Sequence, residues 1–257
     1  MTDSTEYGFG WKRDLPDIHD LRLVEPLALL EGPLPRYVNL IPEMPPIWKQ
    51  RGLGACTAHA GPAVWCHMRK QQNLPGLMPA RLFVYYCERE LEGTIDHDSG
   101  ASIRDCFRVM ADKGVPDEGL WPYDPAKYKI KPSDAAYADA VKHRDLEYLR
   151  VNQDVNSLKA CLATGYPFVF GFTVYQSFLT GVSRTGMVQL PGWFEKSVGG
   201  HAVCAVGYNS RNFFLIRNSW GTDWGDPDIP GHFWMPPEYI SNGNLAADFW
   251  TLRKVSG

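Results

Sequence analysis

Near residue 145 the apolar pattern of this 257-residue chain changes period, and that change limits the fold more than any other feature. Before it, apolar residues recur at helical spacing. Beyond it they come in short runs separated by Gly, Pro and Asn, which is the mark of strands. The chain therefore reads as α+β, with a helical half at 37–144 and an antiparallel β half at 145–257. Ahead of both, residues 1–36 are polar and proline-containing with little periodicity, and read as an extended arm. The cleft between two such halves is a natural place for a site that draws on both.

In the helical half, Ala58 to Gln72 lacks strong turn dipeptides and reads as a helix that Pro62 interrupts. Ala80 to Glu92 carries Leu82, Phe83, Tyr86 and Arg89 at helical spacing and stops at Gly93. Ser102 and Asp105 resemble a capping box for a helix marked by Ile103, Phe107 and Met110 and ended by Gly114. A weaker helix covers Ser133 to His143. Beyond the change of period, Leu146 to Val151 alternates and a short helix spans Asn156 to Thr164. Apolar runs follow at Phe168–Val174, His201–Tyr208, Phe213–Arg217 and His232–Met235, with Phe249 to Leu252 as a last strand.

The net charge of −3 gives no electrostatic case for nucleic acid or an anionic membrane as a partner. No apolar run approaches the ~20 residues that a bilayer span needs. The stretch Met1 to Glu6 lacks the basic and apolar regions of a secretory signal, so the expectation is a cytoplasmic protein, with signal-independent export left open. Six scattered cysteines read as reduced core residues rather than a disulfide frame. Cys56, His59, Cys66 and His67 lie close in sequence, yet no Cys-x-x-Cys pair occurs and their spacing does not suit a structural metal. Neither a metal nor another cofactor is expected.

The chemistry concentrates in Gln50-Arg51-Gly52-Leu53-Gly54-Ala55-Cys56-Thr57-Ala58-His59-Ala60. Cys56 falls at a glycine-flanked turn that opens onto a helix, where unpaired N–H groups and the positive dipole end favour a thiolate. Gln50 brings a side-chain amide donor to the same turn. Taken alone, Cys56 reads first as a buried small hydrophobe, which is what most free cysteines are. A thiolate that attacks a carbonyl needs a base, an orienter for that base, and donors for the oxyanion. His59 is near but is held on its own helix. His201 opens a β-half strand after Gly199-Gly200, which leave room around the imidazole. Asn218 ends a buried strand, placed to accept from one ring nitrogen of His201, with Trp220 covering that bond from water.

Gln50…Cys56, His201-Ala202-Val203 and Asn218-Ser219-Trp220-Gly221-Thr222-Asp223-Trp224-Gly225 resemble the active-site blocks of the papain family of cysteine peptidases. The resemblance covers roughly residues 37 to 257 and implies that family's two-lobed fold, helical lobe first. It implies Cys56 as nucleophile, His201 as its imidazolium partner, Asn218 as orienter, and Gln50 with the Cys56 N–H as oxyanion hole. It also implies that Gly100, within Asp98-Ser99-Gly100-Ala101, pairs with substrate backbone, and that Gly171, Gly200 and Ala202 border a substrate pocket. Leu53 stands where the family usually has a bridged cysteine, and Thr57 where an aromatic residue usually follows the nucleophile. The chain has no long helical prodomain, only the short arm, a pattern that resembles a bacterial branch of the family. The implied activity is hydrolysis of peptides or proteins, with the arm as an intramolecular restraint. The same residues also suit transfer of the acyl group to an amine, and a scaffold that only binds peptide is the third reading.

Overall fold

The computed structural model describes residues 7–24, 32–144 and 146–255. Parts of the arm, residues 1–6 and 25–31, and the half-boundary at residue 145 lie outside the described residues. The chain opens with a short strand β1 (Trp11–Lys12), then β2 (Val38–Asn39) and α1 (Thr57–Gln71). Next come α2 (Arg81–Leu91), β3 (Ala101–Ser102), α3 (Ile103–Asp112) and α4 (Asp134–Ala140). The sheet region holds β4 (Glu147–Arg150), α5 (Val155–Ala163), β5 (Phe168–Tyr175), α6 (Gln176–Thr185), β6 (Ser197–Tyr208) and β7 (Phe214–Arg217). Short strands β8 (Gly225–Asp226) and β9 (Ile229–Pro230) precede β10 (His232–Met235), α7 (Pro237–Ile240) and β11 (Ala246–Lys254).

Local chemistry sets most of these bounds. Ser102 accepts from the Asp105 N–H at 3.1 Å and caps α3, and Gly114, at φ +89°, lets the chain leave it. Ser133 caps α4 in the same way, accepting from Ala136 N–H at 3.2 Å. One expectation fails. Pro62 does not interrupt α1, which runs unbroken through it. The ring removes one hydrogen bond near the helix start, and the buried face on either side of it holds the helix together. The segment Gln176–Thr185, for which the sequence offers no assignment, is helical because Phe178, Leu179 and Val182 share one buried face.

The main sheet runs β10-β7-β6-β5-β11-β4, antiparallel throughout, with β2 added beside β6. Strand β6 sorts its side chains by parity. Ala202, Cys204 and Val206 join a core with Val64, Trp65, Phe83 and Phe107 from the helices. Val203 and Ala205 join a second, aromatic core with Phe170, Phe172, Phe178, Trp224 and Phe233. His201 has the parity of the second set, and its ring lies 5.9 Å from that of Phe172. The sheet thus separates a helical core from an aromatic one, and α1 lies across β6.

Candidate active site

Cys56 is the N-cap residue of α1 and already carries helical backbone angles, φ −64° and ψ −36°. Its carbonyl accepts from His59 and Ala60 N–H at 3.1 and 2.9 Å, so the turn that carries the sulfur is closed on itself. The loop before it is tied to the sheet side. Gln50 N–H donates to the Ser219 carbonyl at 2.8 Å, and the Ser219 hydroxyl donates to Gln50 Oε1. That second bond fixes the amide so that Nε2 faces the cleft. Tyr123 holds the Gln50 carbonyl at 2.9 Å.

On the other wall, His201 Nε2 donates to Asn218 Oδ1 at 2.8 Å. This assignment leaves Nδ1 buried with no hydrogen-bond partner. Asn218 is anchored through its own N–H to Gly231 O at 2.9 Å. Trp220 lies over the imidazole with ring centroids 4.8 Å apart, and Trp224 and Phe178 pack behind it. The two walls meet at the sulfur, where the N–H groups of Gly10, Thr57 and Ala202 act on Cys56. Ala202 is the neighbour of His201. The structure therefore brings Cys56, His201, Asn218, Gln50 and Trp220 into one locality. His59 lines a small cavity behind it with Ala202, Asn218 and Ser219, and its Nδ1 is held by the Ala55 carbonyl of its own helix turn at 2.7 Å.

A further element fills the groove between the walls. Residues 7–12 run through it as an extended chain, with Gly8 N–H on Arg51 O at 3.2 Å and the Gly8 carbonyl accepting from Gln50 Nε2 at 3.1 Å. β1 pairs in parallel with β3, and the Gly10 carbonyl accepts from Ala101 N–H at 2.8 Å. Gly100 is in the left-handed region, φ +68°, and a Cβ there would stand 1.9 Å from the Gly10 carbonyl oxygen. It is Ala101, not Gly100, whose N–H reaches the arm's backbone. Gly200 and Gly171 lie under Trp11, where added Cβ atoms would come 2.6 Å from its carbonyl oxygen and 1.9 Å from its ring. Tyr7 stacks on Trp220 at 4.4 Å, and Phe9 presents an edge to His201 at 6.4 Å.

The arm is pinned beyond the groove. Trp11 Nε1 and Asp14 N–H both donate to Asp248, at 3.1 and 2.8 Å. Asp14 accepts in turn from Trp250 Nε1 and Arg150, at 2.8 and 2.9 Å, while Asp20 takes Arg104 and Arg150. The expectation that Trp11 and the aspartates of the arm pack against the body holds, although the sequence does not foretell their partners. The alternation Tyr7-Gly8-Phe9-Gly10-Trp11, aromatic then glycine, is the signal that marks a chain pressed between two walls.

Cover by the arm reverses the expected electrostatics. Burial pushes the Cys56 thiol up to about 12, against the pull of the surrounding N–H groups. Burial likewise lowers His201 to about 4, with the Asn218 bond acting the other way. In the covered state both groups are neutral. All six cysteines are free thiols, and among the described residues no group of His, Cys, Asp or Glu is arranged to hold a metal.

A cysteine at a helix start, a buried His–Asn pair on the facing strands and the α+β frame that carries them are the arrangement of a papain-type cysteine protease. The papain family cysteine protease sequence profile matches residues 49–242, and the chain belongs to that family. It is most usefully set beside xylellain, a cysteine protease from Xylella fastidiosa. That structure superposes with a TM-score of 0.88 at 40% identity, covering 99% of this chain and 98% of the other. The uncharacterized peptidase C1-like protein L477 of Acanthamoeba polyphaga mimivirus is 36% identical over 99% of this chain and 89% of its own length. Procathepsin B S9 of Trypanosoma congolense shares the fold, with a TM-score of 0.69 at 18% identity over 97% of this chain and 86% of that one. The protein is thus a papain-family cysteine peptidase, a hydrolase, in a family whose members act on peptide substrates.

Proposed function

We propose that Cys56 is the nucleophile of this peptidase, His201 its proton partner, Asn218 the residue that orients His201, and Gln50 with the Cys56 N–H the oxyanion donors. Asn218 holds the Nε2 proton and leaves Nδ1 to exchange a proton with the sulfur. The thiolate adds to the peptide carbonyl, the oxyanion meets the Gln50 amide and the Cys56 N–H, and His201 gives its proton to the departing amine. Water then attacks the thioester, losing a proton to His201 and returning the free thiol–imidazole pair. The reading rests on one observation above all: His201 is held by Asn218 at 2.8 Å with its Nδ1 left without a partner, on the strand whose next residue, Ala202, shares a core with Cys56.

Residues 7–24 are the restraint in this reading. The Gly8 carbonyl occupies the Gln50 amide, and the Gly10 carbonyl occupies the Ala101 N–H. Dehydration by the arm adds to the steric block, because it favours the neutral pair over the ion pair. The arm has to move before peptide is cleaved.

The test pairs peptide turnover with labelling by a thiol-directed epoxide. Cys56→Ala and His201→Ala abolish turnover, and Cys56→Ala abolishes labelling, whereas His59→Ala retains both. Turnover that survives His201→Ala and is lost in a well-folded His59→Ala protein would show that the other histidine is the partner.

A further inference from the structure

The peptidase chemistry leaves one buried acid without a role. Glu88 on α2 is fully buried on the helical side of the nucleophile's turn. Its Oε2 accepts the Thr57 hydroxyl at 2.9 Å, and its Oε1 is buried with no partner. Thr57 directly follows Cys56 and is the first residue of α1. From α3, Cys106 donates its thiol to the Thr57 carbonyl at 3.4 Å. Three helices therefore meet beneath the sulfur around one carboxyl and one threonine. That threonine stands where the papain-family pattern usually has an aromatic residue.

No cation faces Glu88 among the described residues. The groups that act on it are Thr57 on α1, Cys106 and Asp105 on α3, and Glu92 just beyond its own helix. The adjacent Arg89 spends its guanidinium on the carbonyls of Ile95, His97 and Tyr128. An anion in that setting would be dehydrated, unpaired and beside two further carboxylates, so the neutral acid is the form the site accommodates. Burial raises its pKa to about 8 against the opposing pull of Cys106 and Thr57, with Glu92 and Asp105 adding smaller pushes upward. When ionised it acts on Cys56 in the unfavourable sense, raising the thiol's pKa.

We propose that Glu88 is a positioning residue for Cys56: as an uncharged acid it braces Thr57 and the turn that carries the sulfur, and its ionisation closes the alkaline side of the enzyme's working range. The proposal rests on the reading of Cys56 as nucleophile. Proton loss from Glu88 puts a negative charge behind the thiolate and an unpaired anion under the first turn of α1. Both oppose the reactive geometry.

Glu88→Gln keeps the shape and the acceptor for Thr57 and cannot ionise. In full-length protein, Cys56-dependent peptide turnover is measured against pH, each enzyme scaled to its own maximum, together with Tm. With Glu88 raised to about 8 by burial, the alkaline limb of the natural protein is expected to fall in that region and to move up by roughly one unit in Glu88→Gln. For Tm the folded-state pKa lies above the ordinary glutamate value, so the stabilisation is complete below that value and declines as pH rises through about 8. Glu88→Gln flattens that decline. Glu88→Ala removes the brace and lowers kcat at every pH, and Glu88→Gln restores it. A limb that stays in place while the Tm profile flattens would overturn the positioning role and leave only a buried structural acid. A limb and a Tm profile that both stay unchanged would overturn the proposal entirely. Turnover that persists in Cys56→Ala would fell the reading of the nucleophile, and the proposal with it.

Discussion

Removing one indole from the arm should release the enzyme, and the size of the effect follows from the contacts of Trp11. Its ring covers Gly171 and Gly200 and its Nε1 donates to Asp248 at 3.1 Å. A buried Trp hides about 150–250 Å², and the half-buried Trp11 is assigned roughly 100 Å² of it. At ~25 cal/mol per Å² that is about 2.5 kcal/mol. The hydrogen bond to the carboxylate adds about 0.5 kcal/mol, at the low end, because Asp248 keeps Asp14 N–H at 2.8 Å and Arg150 at 3.5 Å. The total of about 3 kcal/mol corresponds to a roughly 150-fold larger open fraction. The assay is the rate of epoxide labelling of Cys56 in full-length Trp11→Ala, with turnover of a fluorogenic peptide alongside. Both rise together until the open form predominates. Gly171→Ala is the companion variant, since its new Cβ would stand 1.9 Å from the Trp11 ring and displace it from the other side. Labelling rates equal to those of the natural protein, in variants that melt normally, would refute the arm as a restraint.

Two further outcomes test the same site. Gln50→Ala should lower kcat by roughly 10²- to 10³-fold once the arm is open, the usual loss for one oxyanion donor; a loss confined to KM in steady-state kinetics would assign Gln50 to binding alone. The pH dependence of arm opening comes from Asp248, whose pKa is raised to about 6 by burial and by Asp14 of the arm. Exchanging a neutral thiol–imidazole pair for an ion pair moves no net proton, so Cys56 and His201 cancel across this range. The closed form holds the Asp248 proton more tightly, so its stabilisation is full below the ordinary aspartate value and is lost as pH rises through about 6. Asp20, lowered by Arg104 and Arg150 despite its burial, acts in the opposite sense but only near and below 3.8. Epoxide labelling, corrected for intrinsic thiol reactivity in Trp11→Ala, should rise roughly tenfold between about pH 4.5 and about pH 6.5. Asp248→Asn should abolish the rise, and a rise that persists in it would place the switch elsewhere.

The parts of this molecule that sequence makes legible are those fixed by short-range chemistry. Ser102 and Ser133 announce helix starts because a cap needs only a hydroxyl three residues from an N–H. The strand His232–Met235 shows itself by an apolar run between turn residues. His201 and Asn218 are found because glycines, a strand end and a tryptophan surround them in a recognisable order. What escapes is decided at long range. Pro62 looks like a break until the packing on both sides of it is known, and the helix Gln176–Thr185 goes unassigned until its three buried apolar residues meet the aromatic core. The raised pKa of Cys56 is not a property of its own turn at all. It comes from burial of the sulfur between the two walls, which outweighs the pull of the Ala202, Gly10 and Thr57 N–H groups. Likewise Trp11 and Asp248 are 237 residues apart, and no local pattern couples them.

The arm and a peptide substrate compete for the same fittings, and this sets the kind of restraint. Gly10 is tight against Gly54, where a Cβ would come 1.8 Å from the carbonyl oxygen, so the groove at this point admits bare backbone and little else. Within it the arm takes the Ala101 N–H and the Gln50 amide, the two donors a peptide's carbonyls would otherwise use. A tethered occupant acts at an effective concentration of order mM, above that of most dilute peptides. Such competition raises KM and leaves kcat alone, because every enzyme that has bound peptide has already released its arm. A restraint that distorted the catalytic residues would do the reverse. The covered structure shows no such distortion: His201 keeps its 2.8 Å bond to Asn218, and Gln50 keeps its bond to Ser219, with the arm in place. On the proposed reading the catalytic groups are assembled beneath the arm, and its displacement is the step that admits substrate.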